Sequence, residues 1–504
     1  MDQDEVIINE NEKLNNEILA SSDSSGKKPE EPKKVIKNIL KVAISNIFTL
    51  LSGILVGFIV PKLMTNGDST ADYGYYKIFT LYLGYVGLFH FGFIDGIYLL
   101  YGGKSYDELE KAKFRTYSKF FIIFQLIISA IITGVALCFI NTNYGFIFVF
   151  IGINLLAENI TMYYQFISQI TGRFNELSLR NIVKSSLTII AVITLFILFK
   201  TNIINYLQFQ IYIVIVSVIS FMLSCWYVIT YREITFGKSN KIKEELPSIK
   251  KFFIIGLPLL IANLVVNLIL NIDRQFVSIL YDEEIYASYA FGYNMLNLIT
   301  TATSAISIVL YPTLKKLEFE RLKQNYNNFI SIIAIFVSFC LIAYFPLNFI
   351  VTTWLEKYNE SLPIFRIIMP GLVLTSAISM IMLNYYKTLF RSKSYFIISI
   401  IILVLSFVAN LIAYLVFKKP IAISIASVIV IFIWYLLAEF VLVKDWKINT
   451  LKNLVYIILI ITAFYLISFL IENVFIGCGI YLLVYIIITG LFYFKLIKSK
   501  FKFN

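Results

Sequence analysis

The segment Ser394–Phe417 reads SYFIISIIILVLSFVANLIAYLVF and contains no charged side chain. A membrane-spanning helix needs about 20 predominantly apolar residues, so this segment is long enough to cross a bilayer. Phe252–Asn271 and Phe329–Thr352 are uncharged in the same way. A long helix of a soluble protein would instead show one apolar and one polar face. The sequence therefore predicts an all-α polytopic membrane protein.

The same pattern extends over most of the chain. Of its 504 residues, 59% are apolar and 15% charged, whereas soluble domains carry about 25% charged residues. The polar, acidic residues 1–35 have neither an apolar run nor a cleavage site, so we expect a disordered cytosolic tail. Apolar windows place about fourteen transmembrane helices, near 37–64, 73–101, 117–140, 144–170, 181–200, 207–230, 249–275, 284–312, 327–350, 362–388, 394–417, 420–443, 452–471 and 474–497.

The positions of the basic residues orient these spans. Loops rich in Lys and Arg, such as 104–119, 232–251 and 444–452, alternate with short neutral or acidic loops. Because basic loops stay in the cytoplasm, we expect a protein of the inner (cytoplasmic) membrane with both termini cytoplasmic. For the same reason, the net charge of +12 does not indicate a nucleic-acid partner.

A weak internal repeat divides the spans into two groups. Tyr73-Gly74-Tyr75-Tyr76 recurs as Tyr286-Ala287-Ser288-Tyr289, and each group opens the second span of its half. A shift of six spans predicts two parallel six-helix lobes, as in many transporters. The expected organisation is an N-terminal lobe at 36–230, a cytosolic linker at 231–248, a C-terminal lobe at 249–444, and two more helices with a basic tail at 445–504.

Polar residues inside spans are costly and mark candidate substrate paths. In span seven, Asn263, Asn267, Asn271 and Arg274 share one helical face. A lone Asn would more often join two helices, but a stripe that ends in Arg favours the lining of a cavity. Asp273 precedes Arg274 on an adjacent face, where it either pairs within the bundle or belongs to a coupling-ion site.

Other spans carry further candidates. Glu158 lies deep in span four and predicts a coupling-ion site or a structural hydrogen bond, and Gln165 follows it on the same stripe. The remaining candidates are Tyr289, Tyr293 and Asn297 in span eight, with Lys77 and Arg366 about one turn inside their spans. The tyrosines could form an interfacial belt or stack on sugar rings, and the two cations could extend to lipid headgroups or bind substrate.

Motifs typical of catalysis are absent from the sequence. It contains no GxxxxGK[ST], no HExxH and no nucleophile elbow. Loops of about twenty residues leave little room for a soluble catalytic domain. We therefore expect a protein that is not an enzyme and has no metal site or cofactor. A membrane-embedded transferase and a non-transporting scaffold are the alternatives from other functional classes.

Three segments resemble the polysaccharide flippases of the Wzx type, in the multidrug/oligosaccharidyl-lipid/polysaccharide exporter superfamily. They are GFIVPKLM at 57–64, DYGYYKIFTLYLGYVGLFHFGFIDGIYLLYGG at 72–103, and NIDRQFVSILYDEEIYASYAFGYNM at 271–295. The resemblance implies two lobes around a central cavity that opens alternately to each side of the membrane. It implies a polyprenyl-pyrophosphate-linked oligosaccharide as substrate, turned from the cytoplasmic to the outer leaflet for cell-surface polysaccharide synthesis. Polysaccharide polymerases and glycosyltransferases are the implied partners besides the bilayer.

The residues agree with these chemical demands. A diphosphate needs cationic partners to cross hydrocarbon, and the planar fork of Arg offers paired donors. We therefore assign Arg274, Arg366 and Lys77 to the diphosphate, and the amide and aromatic groups of spans four, seven and eight to the sugar. Whether Na⁺ or H⁺ drives transport stays open. A lipid II flippase is the nearest rival, and a drug/cation antiporter is a more distant one.

Overall fold

The computed structural model describes residues 32–315, 319–389, 391–444, 446 and 448–500. Within these residues the regular structure is helical, with one isolated bridge between Asn66 and Ser69. The all-α polytopic fold predicted from the sequence is confirmed. The α-helices are α1 Pro32–Leu63, α2 Ala71–Leu83, α3 Phe93–Tyr101, α4 Lys111–Leu137, α5 Asn143–Ile170, α6 Phe174–Lys200, α7 Phe209–Thr230, α8 Arg232–Thr235, α9 Ile242–Leu280, α10 Glu283–Lys315, α11 Phe319–Cys340, α12 Tyr344–Trp354, α13 Ser361–Ile368, α14 Gly371–Ser376, α15 Leu383–Thr388, α16 Ser392–Phe417, α17 Pro420–Val443, α18 Leu451–Leu470 and α19 Val474–Lys500.

The predicted spans correspond to these helices in order. Among the described residues, 11 helices are long and apolar enough to cross a membrane, and two bent pairs raise the number to 13. The helix α10 occupies the place of predicted span eight, so the predicted count of about fourteen agrees with the structure. Residues 1–31 of the predicted tail and residues 501–504 lie outside the described residues. The helix α1 begins at Pro32, so the end of the predicted tail is helical.

Span two is broken between His90 and Phe93, and its two halves meet at 59°. Phe91 and Gly92 have left-handed backbone angles at this point, with φ of 50° and 83°. A Cβ atom at Gly92 would lie 2.3 Å from the backbone nitrogen of Leu257. Only glycine fits there, because the backbone of α9 passes so close.

Side-chain amides bind the carbonyl groups that this break exposes. The Gln125 amide donates to the carbonyl of Phe89 at 3.0 Å, and the Asn159 amide donates to that of Val86 at 3.1 Å. Hydrocarbon offers no hydrogen bonds, so a broken span persists only where the protein supplies them. The polar residues of α4 and α5 thus make the break stable.

The chain forms two compact units. The first comprises the residues up to Thr49 together with Tyr82–Thr188 and Val214–Ile261, and the second comprises Leu50–Leu81, Ile189–Ile213 and Ala262–Asn504. The division into lobes at 36–230 and 249–444 stays a prediction. The segment predicted as the linker 231–248 contains α8 and the first turns of α9.

Aromatic packing forms the interior of the first unit. Phe93 stacks on Phe121 at 5.1 Å between ring centroids, and Phe252 meets Phe93 edge-on at 5.5 Å. Tyr163 stacks on Phe121 from the other side at 5.1 Å. These rings join α3, α4, α5 and α9 into one core.

In the second unit, span ten is bent in a similar way to span two. The helices α13 and α14 meet at 43° around Met369 and Pro370. A short π-helical segment, Ala377–Met382, follows and leads into α15. Proline and π-helical turns both disturb the regular bonding of a helix, and π-turns are frequent at functional sites.

Candidate functional site

A cavity of about 420 Å³ lies within the second unit. Ligand pockets in proteins usually enclose about 300–1,000 Å³, so this cavity can hold a small organic group. It is formed by α9, α10, α17 and the bent span ten. Its lining includes Asp273, Arg274, Tyr293, Asn297, Thr300, Thr375, Ser376, Ser379, Ser427 and Trp434, together with aliphatic side chains.

Arg274 supplies the positive charge of this cavity. Its guanidinium carbon lies 4.6 Å from the centroid of the Tyr293 ring, and one terminal nitrogen donates to the carbonyl of Leu270 at 3.1 Å. These contacts hold the guanidinium in one orientation. Its Nε atom and the indole Nε1 of Trp434, on the same cavity, are buried without a hydrogen-bond partner among the described residues. The cavity wall therefore carries two donors whose partner the protein does not provide.

Asp273 does not neutralise Arg274 by a direct side-chain ion pair. Its carboxylate accepts the hydroxyl of Tyr289 at 2.8 Å, the hydroxyl of Tyr293, and the backbone N–H of Arg274 at 2.8 Å. Only 2% of Asp273 is exposed. Tyrosine hydroxyls thus satisfy this carboxylate, and the Arg274 side chain keeps donors for another anion.

Lys77 contacts Asn294, which directly follows the cavity-lining Tyr293 in span eight. Its ammonium donates to the Asn294 side chain at 3.2 Å and lies 5.2 Å from the Tyr73 ring centroid. Asn294 in turn donates to the carbonyl of Gly57 at 3.2 Å. A Cβ at Gly57 would lie 2.7 Å from the Asn294 amide nitrogen, so this glycine admits the contact.

Hydroxyl groups from spans eight and ten line the rest of the cavity. Thr300, Thr375 and Ser379 donate their protons to carbonyls of their own helices, at 3.0, 3.3 and 2.7 Å. This common arrangement satisfies the hydroxyl proton locally. The oxygen atoms of Thr375 and Ser379 can then accept hydrogen bonds from donors that enter the cavity, such as sugar hydroxyls.

The predicted asparagine stripe does not line this cavity. Asn263 and Asn267 are exposed, and the half-buried Asn271 donates to the carbonyl of Asn267 at 2.7 Å. Arg274, one step further along the helix, is the member of the stripe that reaches the cavity. The assignment of the three asparagines to substrate binding stays a prediction.

Arg366 lies apart from the other two predicted cations. It lines a separate cleft of about 80 Å³, where its Nε donates to the Tyr344 hydroxyl at 2.9 Å. Lys77 therefore contacts span eight next to the cavity without lining it, and Arg366 has different neighbours. Tyr289 lies behind Tyr293, and Asn297 lines the main cavity.

Two predicted residues belong to the first unit. Glu158 accepts the Ser220 hydroxyl at 2.7 Å and forms an ion pair with Lys184 at 3.5 Å. Its charge therefore has a partner on the neighbouring helix. Gln165 is half-buried two turns further along the same helix.

Several residues of the site were not singled out in the sequence. They are Asn294, Thr375, Ser379, Ser427 and Trp434. The spacing of Thr375 and Ser379, four residues apart, was a usable signal because it places both on one face. Serine and threonine are also common where membrane helices pack, so that spacing alone does not identify a cavity.

Comparison with known proteins matches the chain to one protein family and to several solved structures. A family model for polysaccharide biosynthesis proteins matches residues 35–318. The structure resembles that of the lipid II flippase MurJ in an inward closed conformation, with 16% identity over 92% of this chain and 100% of that chain and a TM-score of 0.68. It also resembles an inward-facing multidrug resistance MATE family transporter of the MOP superfamily, with 15% identity, 79% and 95% coverage and a TM-score of 0.56. No curated protein matches the sequence significantly. At these identities, the likeness to the solved structures establishes the fold alone.

Proposed function

The chain belongs to the family of polysaccharide biosynthesis proteins, and we propose that it flips polyprenyl-pyrophosphate-linked oligosaccharide repeat units across the cytoplasmic membrane. The units would pass from the cytoplasmic to the outer leaflet by alternating access, for synthesis of a cell-surface polysaccharide. The observation that carries this proposal is the cavity around Arg274, with its unpartnered donors at Arg274 Nε and Trp434 Nε1.

The diphosphate explains the basic side of the cavity. The planar fork of an arginine such as Arg274 can donate two parallel hydrogen bonds to a phosphate. Lys77 adds a further donor next to the cavity, where it is held by Asn294. The third predicted cation, Arg366, lies outside this arrangement, so the proposal rests on Arg274 and Lys77.

The sugar part of the substrate would account for the hydroxyl groups that line the cavity. The hydroxyl oxygens of Thr375 and Ser379 can accept hydrogen bonds, and sugar hydroxyls can donate them. A cavity of about 420 Å³ admits a group the size of roughly a dozen waters, at about 30 Å³ each. That space suits the diphosphate with its first sugar, while the polyprenyl chain stays in the bilayer.

Coupling to an ion gradient belongs to the same proposal. Asp273 lies on the cavity wall beside Arg274, so a Na⁺ or H⁺ bound to its carboxylate changes the charge that the substrate meets. Glu158, the other candidate, does not line this cavity. We therefore assign the coupling role to Asp273.

Replacing Arg274 tests the proposal. Purified protein in vesicles is supplied with a polyprenyl-pyrophosphate-linked oligosaccharide, and the fraction reaching the other leaflet is measured with a membrane-impermeant reagent. We expect Arg274→Ala to abolish flipping. Lys357→Ala, in an exposed loop outside the cavity, serves as the matched control and should flip normally. Normal flipping by Arg274→Ala would refute the proposal. Faster flipping of lipid II than of the oligosaccharide carrier would favour the rival substrate.

A further inference from the structure

The cleft around Arg366, which we call the Arg366 cleft, has a donor set of its own. It lies in the second unit where α12, α13 and the end of α18 meet the start of α19. Its polar lining consists of Tyr344, Asn348, Arg366, Ser468 and Glu472. None of these residues lines the cavity assigned to the flipped substrate.

The Arg366 guanidinium is fixed in this cleft. Its Nε donates to the Tyr344 hydroxyl at 2.9 Å, and its central carbon lies 4.6 Å from the centroid of the Phe469 ring. Among the described residues, no group accepts a hydrogen bond from its two terminal nitrogens. Arg366 therefore presents a planar fork of oriented donors, a geometry suited to bidentate hydrogen bonding to a phosphate.

Tyr344 adds a third donor to this fork. Its hydroxyl oxygen already accepts two hydrogen bonds, from Arg366 Nε at 2.9 Å and from the Asn348 amide at 3.1 Å. A phenol oxygen that accepts two bonds still has its own proton to donate. Since the Tyr344 side chain is buried at 2% exposure, the two neighbours hold it in place.

A negative charge lies in the same cleft without pairing with Arg366. Glu472 lines the cleft, yet no oxygen of Glu472 lies within 4.0 Å of a basic nitrogen among the described residues. Two opposite charges that face one cleft and stay apart fit a ligand that carries both signs. A purely anionic ligand would gain at Arg366 and be repelled at Glu472.

Exposed apolar side chains occur in the lining of the Arg366 cleft, at Phe469, and at positions adjacent in sequence to lining residues. Phe469 is 58% exposed, Leu470 76% and Phe475 69%. In a membrane protein, such residues at the end of a span contact lipid chains. A ligand whose charged head enters the cleft can thus rest its hydrocarbon on these residues.

We propose that the Arg366 cleft binds the headgroup of a zwitterionic glycerophospholipid. Arg366 and Tyr344 donate to the phosphodiester, the ammonium group faces Glu472, and the acyl chains lie along Phe469 and Leu470. This lipid is a bound component of the membrane and is distinct from the glycolipid that is flipped. The site is independent of the cavity around Arg274.

Lipid retention by the purified full-length protein tests this site. The protein is titrated in detergent with phosphatidylethanolamine or phosphatidylglycerol of identical acyl chains, and bound lipid is counted by native mass spectrometry. We expect the wild type to retain phosphatidylethanolamine in preference. Arg366→Gln should weaken its retention about tenfold, because a charge-assisted hydrogen bond contributes on the order of 1.5 kcal/mol.

The Glu472 carboxylate provides a second, separate test of the site. Glu472 is an exposed loop residue, so the Glu472→Gln variant should fold normally. We expect this variant to bind phosphatidylglycerol and phosphatidylethanolamine equally well. Lys357→Gln removes a cation outside the cleft and should retain lipid like the wild type. Equal or better retention of phosphatidylglycerol by the wild type, or unchanged retention by Arg366→Gln, would overturn the proposal. No glycolipid is present, so the result does not depend on whether the protein is a flippase.

Discussion

The guanidinium carbon of Arg274 lies 4.6 Å from the centroid of the Tyr293 ring. The hydroxyl of the same tyrosine donates to the carboxylate of Asp273. The face of the Tyr293 ring thus contacts the Arg274 guanidinium, while its hydroxyl donates to the Asp273 carboxylate. In this arrangement Asp273 is hydrogen-bonded without a side-chain ion pair to Arg274, and the Nε of Arg274 stays available to a ligand.

Substitutions at Tyr293 separate these two roles. Tyr293→Phe keeps the ring beneath Arg274 but removes a hydrogen bond from the buried Asp273, so we expect a loss of stability of about 1–3 kcal/mol. Tyr293→Leu also removes the cation–π contact, which is worth about 0.5–2 kcal/mol. Flipping in vesicles should therefore fall further in the leucine variant, by about tenfold relative to the phenylalanine variant. Equal flipping by both variants at equal protein levels would show that the ring does not position Arg274.

The pair between Glu158 and Lys184 predicts a structural role for Glu158. Because the carboxylate also accepts the Ser220 hydroxyl, we expect Glu158→Gln to keep one contact and to lose less stability than Lys184→Met. Thermal unfolding of both variants in detergent measures the difference. The response of Glu158→Gln flipping to Na⁺ and proton gradients should match the wild type. A changed ion dependence would instead make Glu158 part of the coupling site.

Close backbone packing at the break in span two predicts a severe effect at Gly256. A Cβ there would lie 1.8 Å from the carbonyl oxygen of Gly92, so the two segments would have to separate. We expect Gly256→Ala to destabilise the protein by about 3 kcal/mol or more. Gly134→Ala is the matched control, since nothing lies within 4 Å of its Cβ and alanine favours a helix by about 1 kcal/mol. Similar melting temperatures for the two variants would contradict the observed packing.

The ion pair of Asp68 and Lys357 lies outside the spans and should depend on pH and salt. Hydrogen bonding to Lys357 lowers the pKa of Asp68 below its ordinary value of 3.8. The pair therefore stabilises the folded protein above that pH, and its contribution disappears as the pH falls through the lowered pKa. Because both side chains are exposed, salt should screen the effect.

Asp68→Asn and Lys357→Gln test this pair at neutral pH. Each should lower the melting temperature slightly at low salt, the double variant should match either single variant, and high salt should remove the difference. Additive effects of the two substitutions would mean that the residues act separately.

Much of the fold follows from the sequence because hydrocarbon imposes simple requirements. Segments such as Ser394–Phe417 must be helical, since no other single segment satisfies its backbone in a bilayer. The position of Arg274 on a polar face also follows from helical periodicity. The break at Phe91 and Gly92 is harder to predict from the sequence, because it depends on amides from α4 and α5 and on the approach of α9.

The composition of the two cavities was equally hard to predict from the sequence. Lys77 and Arg366 look equivalent in the sequence, each a cation about one turn inside a span. The structure places Lys77 beside Asn294, next to the main cavity, and it places Arg366 beside Tyr344 in a different cleft. The sequence alone does not show that Thr375 and Ser379 line a cavity. Their place in the lining is seen only in the structure, where the bent span ten meets other helices.

The sequence by itself determined that the chain is a bundle of membrane helices, where those helices run, and which residues share a face. Only the tertiary structure decided which faces meet, and so which charges act together and which remain apart. The physical reason is the range of the interactions. Burial in hydrocarbon and helical hydrogen bonding act along the chain and leave a periodic pattern in it. The contacts of Arg274, Lys77 and Arg366 join residues from distant parts of the sequence, and no periodic pattern encodes them.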